Sequence, residues 1–464
     1  MKLVIINETL KVGDKDYFLE NLFTLSFYKL SDSLAPDYYN NTFAVNELYI
    51  QIIQSYILLS DFIERNNITE IEVRNSSLKV QIIVTDIARK KNIAIAISPR
   101  NRLKKIKWRV FSIFEQYASA AYLTYCMFRI PYRSEESIKN NEVTIIRDKK
   151  AGAKIKNFPV HKEFEDYTSK TSIYRLFTRK QRLGWVLSAL RYSFPKMREL
   201  RGLVKSYIGK ESMMYVDWFY GKRVVHTLIY SYLLDAYFSQ HSEITFYTGN
   251  NLDRYSVIED QIAEKYNLRT ICIPHGLEYG YRFPKGFSAQ VFYTNSMAAA
   301  EHLNKLYNTS KFIFDLNFAT RMFRVDKTKQ DNTVKIVFFT EPREVSVNHQ
   351  IISELVPLLK ERGLELALKL HPKDNINDYA RYNLELIQNL DDAILNNVCV
   401  SRKSTTLLEA TYNGSSASAI LTNEKDKSIF NTFPSLQSER ISVFYSMPDL
   451  LKWIYNEYNK LTKE

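Results

Sequence analysis

The chain has 464 residues, of which 45% are hydrophobic and 25% charged, with a formal net charge of +13. This length accommodates two or three domains, and the composition is that of a soluble globular protein, with too few Gly and Pro residues for long flexible linkers. The charge is compatible with nucleic acid, an anionic membrane surface or an anionic substrate, and does not choose among them.

The start of the chain predicts a first strand at residues 3–6 and not a signal peptide, because its apolar run is short and no cleavage site follows. No uninterrupted apolar stretch reaches the roughly 18–20 residues that a membrane span needs. Cys126, Cys272 and Cys399 lie far apart without a metal-binding spacing, and we expect buried free thiols. These features predict a cytoplasmic protein.

Strand and helix signals alternate through the first hundred residues, which indicates parallel strands joined by crossovers. We predict strands at residues 70–73 and 93–97 and helices at 46–65 and 78–91. Two helical stretches rich in basic and aromatic residues follow, at 100–135 and 174–205. Each stretch alone is more typical of an ordinary helix with a solvated basic face than of a peripheral surface that contacts anionic lipid. The occurrence of two such stretches makes membrane contact a reasonable hypothesis.

The α/β pattern continues with a predicted long helix at residues 223–239 and strands near 244–247, 269–273 and 291–295. The polar residues 321–333 are the best linker candidate. Beyond them we predict strands at 335–340, 365–370, 398–401 and 417–421, and helices at 348–362, 378–390, 405–412 and 447–461. The sequence therefore predicts an α/β protein with two doubly wound Rossmann-type domains, residues 1–325 and 326–464, that face a central cleft lined by strand carboxyl ends.

The first motif with chemical character is His371-Pro372, which follows an apolar strand and is flanked by Lys369 and Lys373. An imidazole at a strand end can donate to a phosphate oxygen and stabilise the charge that grows as a nucleotide leaves. The structural alternative is a histidine that caps a local carbonyl. The neighbouring motif described next favours the functional interpretation.

The second motif is Ser401-x-x-Ser404-Thr405-Thr406-x-x-Glu409. Ser404 can N-cap a helix that begins at Thr405, and the hydroxyls and N–H groups at that helix end can hold an anion. Glu409 lies one turn after Thr405, where it can reach a ribose hydroxyl. The structural alternative is a capped surface helix, but the two motifs together favour a nucleotide site.

Thr340, Glu341 and Arg343 follow the first strand of the C-terminal domain, and Arg343 can meet a donor phosphate or carboxylate. The chain has no GxxxxGK[ST] phosphate loop, no GxGxxG motif and no DxD motif in a convincing metal-binding context. We therefore expect no cofactor and no metal, with protein cations and helix dipoles in place of Mg²⁺.

On the acceptor side, His275-Gly276 ends a strand of the N-terminal domain. His275 can act as general base on an acceptor hydroxyl, or can be a structural histidine in a strand-exit turn. Gly276 would allow a tight turn and close substrate approach. Glu278, Tyr281 and Arg282 can position the acceptor.

A second turn on the acceptor side contains Gly249, Asn250 and Asp253. Gly249 and Asn250 are candidate acceptor-binding residues. Asp253 is the reserve candidate for the general base. A carboxylate at this position more often forms an Asx-turn than a catalytic site.

Together these motifs resemble those of bacterial surface-polysaccharide glycosyltransferases of GT-B fold, in particular the group with sialyltransferases and polysialyltransferases. That family carries a His-Pro motif and a Ser/Thr motif in its donor domain, which His371-Pro372 and Ser404-Thr405 match. Its base is an acidic residue before a Gly, and here His275 stands in that place. A His-Gly pair resembles instead the polyol-phosphate transferases of teichoic-acid synthesis, which also carry a Lys-x-His-Pro motif.

The resemblance implies an inverting, metal-independent transfer of sialic acid from CMP-sialic acid, with CMP held by His371 and Ser404/Thr405. The acceptor would be a surface glycan such as capsule, O-antigen or lipooligosaccharide, free or lipid-linked, and nucleic acid would not be a partner. One alternative is transfer of a CDP-activated polyol phosphate or use of a UDP-sugar. Another, non-enzymatic, is a basic protein that binds membrane or nucleic acid.

Overall fold

A computed structural model describes residues 1–7, 9–18, 45–48, 52–133, 142–147, 149–156, 158, 162–165, 172–205, 207–241, 243–274, 276–283, 286–325, 333–342 and 345–463. The chain forms two compact units. The N-terminal unit comprises Met1–His275 and Tyr281–Phe292, and the C-terminal unit comprises Gly276–Gly280 and Tyr293–Glu464.

The division between the units lies at Phe292 and Tyr293, ahead of the predicted boundary at 325/326. The helix Leu316–Phe323 explains this difference, because its residues Ala319 and Phe323 are buried in the core of the C-terminal unit. Residues 326–332 of the predicted linker lie outside the described residues.

The N-terminal unit begins with a five-stranded sheet of order β3-β2-β1-β4-β5. Its strands are β1 Lys2–Ile6, β2 Thr9–Val12, β3 Lys15–Phe18, β4 Glu70–Asn75 and β5 Ala94–Ile97. Strands β1, β4 and β5 are parallel, as the alternating pattern predicts, and they are joined to an antiparallel hairpin of β2 and β3 that was not predicted. Gly13, with φ of +59°, supplies the left-handed turn of that hairpin.

The helices of this unit are α1 Val45–Leu48, α2 Gln54–Arg65, α3 Leu78–Lys90, α4 Pro99–Phe128, α5 Lys149–Ile155, α6 Arg179–Val204, α7 Lys210–Phe238 and α8 Arg254–Lys265. Helix α7 starts well before the predicted residue 223, and α4 and α6 both pack on it. Asp86 caps α7 by accepting from the backbone N–H groups of Glu211 and Ser212. A Cβ at Gly209 would lie 2.7 Å from the Asp86 carboxyl carbon, so this cap requires glycine there.

The second sheet has the order β11-β10-β9-β8-β6-β7. Its strands are β6 Glu142–Ile146, β7 Lys162–Glu165, β8 Thr245–Thr248, β9 Arg269–Cys272, β10 Val291–Tyr293 and β11 Phe312–Ile313. Strands β7, β6, β8, β9 and β10 pair in parallel. The strand order reverses between β6 and β8, and in sheets of this kind ligands bind beyond the carboxyl ends at such a point.

The C-terminal unit contains a fully parallel sheet of order β14-β13-β12-β15-β16-β17. Its strands are β12 Ile336–Phe339, β13 Leu366–Lys369, β14 Glu385–Leu386, β15 Val398–Ser401, β16 Ser416–Ile420 and β17 Ile441–Phe444. Numbered from β12, this is the order 3-2-1-4-5-6 of dinucleotide-binding sheets, which reverses between β12 and β15.

Both faces of this sheet are covered, since alternate residues of β12 belong to two different cores: Val337 and Phe339 to one, Ile336 and Phe338 to the other. This explains why its strands read as continuous apolar runs. The helices are α9 Met297–Tyr307, α10 Leu316–Phe323, α11 Val345–Lys360, α12 Ile376–Tyr379, α13 Leu390–Ile394, α14 Thr406–Thr411, α15 Glu424–Phe430 and α16 Met447–Leu461.

The predicted helix over residues 378–390 is wrong. This region holds the short α12, a 3₁₀ turn at Ala380–Tyr382 and the edge strand β14. Asn383 has a left-handed φ of 49°, which ends the helical turn, and Leu386 then pairs with Leu368 of β13. An edge strand of two residues is too short to leave a periodic signal in the sequence.

The predicted α/β class with Rossmann-type parallel sheets is confirmed. Cys272 and Cys399 are buried and Cys126 is half-buried, and none of the three forms a disulfide within the described residues. Within the described ranges, none of the helices combines the length and the apolar character that crossing a bilayer requires.

Candidate functional site

Three polar segments follow neighbouring strands of the C-terminal unit. Thr340 follows β12, His371 follows β13 and residues 402–405 follow β15. The first two strands lie on one side of the reversal in strand order and the third on the other. Segments that the sequence separates by about 30 and 60 positions therefore meet at the sheet edge where parallel α/β sheets bind ligands.

Thr340 connects the segments after β12 and β13. Its hydroxyl donates to the Asp374 carboxylate at 2.5 Å and accepts from the backbone N–H of His371 at 2.9 Å. Its own N–H donates to the Lys369 carbonyl at 3.1 Å. These three bonds fix the backbone that carries His371, so the predicted Thr340 has a positioning role here.

His371 is half-buried, and its Nδ1 accepts from the backbone N–H of Lys373 at 3.2 Å. This bond puts the proton of the neutral ring on Nε2, which is therefore the nitrogen that can donate to an anion. Pro372 and Lys373 are exposed in the same turn. Lys369 is engaged elsewhere, because its Nζ donates to the Gln388 carbonyl at 2.7 Å.

The residues of the Ser/Thr motif fall into different environments. Ser401 is fully buried, and its hydroxyl donates to the Phe339 carbonyl at 3.0 Å, which ties β15 to β12. The Ser404 hydroxyl accepts from the N–H of Thr406 at 3.2 Å and donates to the Thr406 hydroxyl at 3.0 Å. Thr405 is exposed just before α14. The hydroxyls of residues 404–406 therefore lie at the sheet edge, whereas that of Ser401 lies inside the sheet.

Glu409 belongs to α14 and is half-buried one turn after Thr405, in the predicted relation. Its backbone carbonyl accepts from the Asn413 side chain at 2.9 Å. Arg343, the predicted partner of a donor phosphate, lies outside the described residues.

A buried ion pair that the sequence analysis missed joins the segment after β15 to α15. The guanidinium of Arg402 donates to both carboxylate oxygens of Asp426, at 2.6 and 2.7 Å, and neither side chain has any exposed surface. Arg402 also contacts the Asn348 amide oxygen at 3.4 Å. A bidentate guanidinium–carboxylate pair of this kind has fixed geometry as well as charge complementarity.

Lys403 and Glu341 extend this pair into a network of four charges. The Lys403 ammonium lies 2.6 Å from Asp426 and 2.9 Å from Glu341, and its backbone N–H donates to Glu341 at 2.6 Å. With Arg402, the network contains two cations and two carboxylates and is neutral overall. The predicted Glu341 thus joins the ends of β12 and β15 across the reversal in strand order.

The two cations of the network lower the pKa of Asp426. Burial alone would raise the pKa of this carboxyl, but the hydrogen bonds and charges of Arg402 and Lys403 outweigh burial and hold it below its usual value. Asp426 is therefore ionised at neutral pH. The only sequence signal for the network was the pair Arg402-Lys403 directly after a buried strand.

In the N-terminal unit, Asp253 has a structural contact. Its carboxylate accepts from the N–H groups of Tyr255 and Ser256, each at 3.0 Å, and so forms the N-cap of α8. This is the Asx arrangement that the sequence analysis gave as the alternative to catalysis. Gly249 and Asn250 are half-buried in the same turn after β8.

The Asn250 side chain is hydrogen-bonded to a second buried carboxylate, Glu259 of α8, which the sequence analysis also missed. Glu259 accepts from the Asn250 amide at 2.9 Å, from the Tyr230 hydroxyl at 2.6 Å and from the Thr248 hydroxyl at 2.6 Å. Burial raises its pKa to about 7, although the hydrogen bonds from Thr248 and Tyr230 and the charge of Arg147 act in the opposite direction.

The remaining acceptor-side predictions have mixed outcomes. His275 lies outside the described residues. Gly276 has no positive φ, and a Cβ there would have no described atom within 4 Å, so its backbone does not require glycine. Glu278 is fully buried and accepts from the Asn295 side chain at 2.8 Å and the Ser435 hydroxyl at 2.6 Å.

Tyr281 is half-buried with its ring 4.9 Å from that of Phe283, and Arg282 is exposed. Glu278 therefore has a structural role inside the C-terminal unit, while Arg282 has the exposure that binding a ligand requires. Among the described residues there is no group of three or more His, Cys, Asp or Glu side chains arranged to hold a metal ion.

No protein-family model and no curated protein matches the chain. Among solved structures, it is similar to the crystal structure of Methanocaldococcus jannaschii UDP-GlcNAc 2-epimerase in complex with UDP-GlcNAc and UDP. The identity is 9%, the match covers 68% of this chain and 93% of that chain, and the TM-score is 0.33. A likeness of this size carries no information on activity, which has to be inferred from the chain's own residues.

Proposed function

We propose that the protein is an inverting, metal-independent glycosyltransferase that moves sialic acid from CMP-sialic acid to a bacterial surface glycan such as capsule, O-antigen or lipooligosaccharide. The observation that supports a nucleotide site is the reversal in strand order between β12 and β15, with Thr340, His371 and Ser404 at the carboxyl ends of adjacent strands. The CMP-linked donor and the glycan acceptor come from the resemblance of the His-Pro and Ser/Thr motifs.

In this proposal the phosphate of the donor is held mainly by hydrogen bonds. His371 donates from Nε2 to a phosphate oxygen as negative charge grows on the departing nucleotide. The exposed Thr405 hydroxyl and the exposed Lys373 ammonium add a donor and a positive charge beside it. The ends of β12 and β15 are held together by the network of Arg402, Lys403, Glu341 and Asp426. Its charges compensate one another, so it offers no net charge to the phosphate.

Inversion requires a base that removes the acceptor proton while the acceptor attacks opposite the leaving nucleotide. We propose His275 for this role, from its position before Gly276. Asp253 is the weaker candidate because its carboxylate already caps α8. Loss of the His275 imidazole in His275→Ala should reduce turnover by roughly 10²–10⁴-fold and leave donor affinity nearly unchanged. Retained turnover would instead favour Asp253.

The test of the nucleotide site is a thermal-shift series with CMP, CDP, UDP and GDP on wild type, His371→Ala and a control, His241→Ala. His241 lies in the N-terminal unit between the end of α7 and the start of β8, and it is not part of the strand-end segments that contain His371. Its substitution is therefore the matched histidine control. We expect CMP to raise the Tm of wild type and of His241→Ala, and to have little effect on His371→Ala. A shift by no nucleotide, or an undiminished shift in His371→Ala, would contradict the proposal.

The same series separates the donors. A shift by CDP or UDP in place of CMP would retain the nucleotide site but favour a CDP-polyol phosphotransferase or a UDP-sugar glycosyltransferase. The Lys369-x-His371-Pro372 pattern and the His275-Gly276 pair are the features that make this the second candidate. Repeating the CMP titration with and without EDTA tests the expectation that no metal takes part in binding.

A further inference from the structure

Helix α4 has a solvent-facing side made of large apolar residues. Leu103 is 69% exposed and Phe114 59% exposed. The other exposed apolar residues of this helix are Ile106, Val110, Phe111, Tyr117, Tyr122, Tyr125 and Phe128. At about 100° per residue these positions fall on one side of the helix, opposite the buried Leu123 and Met127. An apolar surface of this extent on a water-soluble fold marks an interaction site.

Helix α6 continues this surface. Leu187 is 59% exposed, Leu183 and Phe194 are also exposed, and all three lie on one side of α6. The ring of Phe194 lies 5.8 Å from that of Tyr117 on α4. The exposed apolar residues of the two helices, named here the α4–α6 face, are therefore continuous.

Both helices carry many more basic than acidic residues. Glu115 is the only acidic residue of α4, and Glu199, which pairs with Lys196 at 2.7 Å, is the only acidic residue of α6. The basic residues are Arg100, Arg102, Lys104, Lys105, Lys107 and Arg109 on α4, and Arg179, Lys180, Arg182, Arg191, Lys196, Arg198 and Arg201 on α6.

Several of these cations border the apolar residues. Lys104 and Lys107 are exposed on α4, and Lys107 lies 5.8 Å from the centre of the Phe111 ring. Arg191 and Arg198 are exposed on the same side of α6 as Leu187. Apolar side chains bordered by Lys and Arg are typical of helices that lie in the interface of a bilayer, where the cations meet anionic headgroups.

We propose that the α4–α6 face binds the surface of an anionic phospholipid bilayer, with its apolar side chains in the headgroup–acyl boundary and its cations on the headgroups. Nucleic acid fits less well, because Leu103, Ile106 and Phe114 have no partner on a phosphate backbone. A symmetric dimer through this face would set the same cationic surface against itself. A glycosyltransferase held in this way would work beside lipid-linked acceptors, but the binding does not depend on that activity.

The experiment is co-flotation of the full chain with vesicles of an equal mixture of phosphatidylglycerol and phosphatidylcholine, and with phosphatidylcholine alone. We expect binding to the anionic vesicles and much weaker binding to the neutral ones. The charge reversal Lys104→Glu/Lys107→Glu should lower the partition coefficient at least about tenfold. The control Lys360→Glu/Lys452→Glu makes the same change in net charge on exposed residues of the C-terminal unit and should leave binding nearly unchanged.

A second pair of exposed substitutions, Phe111→Ser/Phe114→Ser, keeps the net charge and removes apolar area. It should also weaken binding to anionic vesicles at least about tenfold, since each buried ring contributes to insertion. Absence of wild-type flotation would overturn the proposal, as would equal losses in the control, unchanged binding of the Phe→Ser pair, or complete displacement by duplex DNA. No nucleotide or turnover enters this test, so its failure is distinguishable from failure of the proposed activity.

Discussion

Two buried carboxylates, Asp426 of α15 and Glu259 of α8, differ in the groups that surround them. Asp426 meets the guanidinium of Arg402 and the ammonium of Lys403, and its pKa is held below the usual value. Glu259 meets two hydroxyls and an amide, and burial raises its pKa to about 7. Direct contact with two cations keeps the Asp426 carboxyl ionised, whereas the hydrogen-bond donors around Glu259, together with the charge of Arg147, do not fully compensate the loss of water.

This difference in surroundings makes the contacts of Asp426 independent of pH near neutrality and those of Glu259 dependent on it. Asp426, beside β12 and β15, stays ionised at neutral pH, so its ion pair with Arg402 holds the candidate-site segments in one arrangement. The carboxyl near β8 titrates close to neutrality, so the turn that carries Asn250 is held by a group whose charge depends on pH.

The largest expected effect is on the ion network. Arg402→Met leaves Asp426 buried without its bidentate partner, and we expect a loss of about 3–5 kcal/mol in the free energy of unfolding, measured by urea denaturation. The double variant Arg402→Met/Asp426→Leu should recover most of that loss, because it also removes the Asp426 carboxylate that had lost its guanidinium partner. A single variant as stable as wild type would contradict the compensation assigned to Arg402.

The second effect concerns the pH dependence that Glu259 produces. Its pKa is about 7 in the folded protein against an ordinary value of 4.5, so the folded state binds the proton more tightly than the unfolded state. The contribution of Glu259 to stability is therefore most favourable below pH 4.5 and is lost as the pH rises through 7, by about 3 kcal/mol in all.

Glu259→Gln removes this titration and keeps the shape of the side chain. The difference in unfolding free energy between wild type and Glu259→Gln should change by that amount between acidic and mildly alkaline pH, in favour of the variant at high pH. Urea denaturation at a series of pH values measures it. A difference that does not vary with pH would show that the pKa of Glu259 is the same in the folded and unfolded states.

A smaller effect follows from one hydroxyl. Tyr230→Phe removes the 2.6 Å donor to Glu259 and should reduce the free energy of unfolding by about 1–2 kcal/mol. It should also raise the pKa of Glu259 further, since that hydrogen bond favours the ionised form. The matched control on α7 is Tyr237→Phe, because the Tyr237 hydroxyl has no hydrogen-bond partner among the described residues. Equal effects of the two substitutions would contradict the role of the hydroxyl.

Much of the fold follows from the sequence because the strands of the C-terminal unit are buried on both faces. Ile336, Val337, Phe338 and Phe339 form an unbroken apolar run between polar turns, which identifies a parallel strand without further information. The predicted helix at 447–461 matches α16, because its apolar residues recur at helical spacing.

The candidate site was predicted only in part. The positions of Thr340, His371 and Ser404 at strand ends follow from local pattern, but hydrogen-bond partners depend on strand register and on residues distant in sequence. Local pattern could not show that the Ser401 hydroxyl is used by the Phe339 carbonyl. Nor could it show that Asp426, from the next strand–helix connection, compensates Arg402.

We propose that the reversal in strand order between β12 and β15 forms a nucleotide site. The most direct measurement is a crystal structure of the complex with whichever nucleotide gives the largest thermal shift. We expect the nucleotide phosphate within hydrogen-bond distance of His371 Nε2 and of the Thr405 or Ser404 hydroxyl. A nucleotide bound at the turn that carries Gly249 and Asn250, or bound without contact to His371, would contradict it.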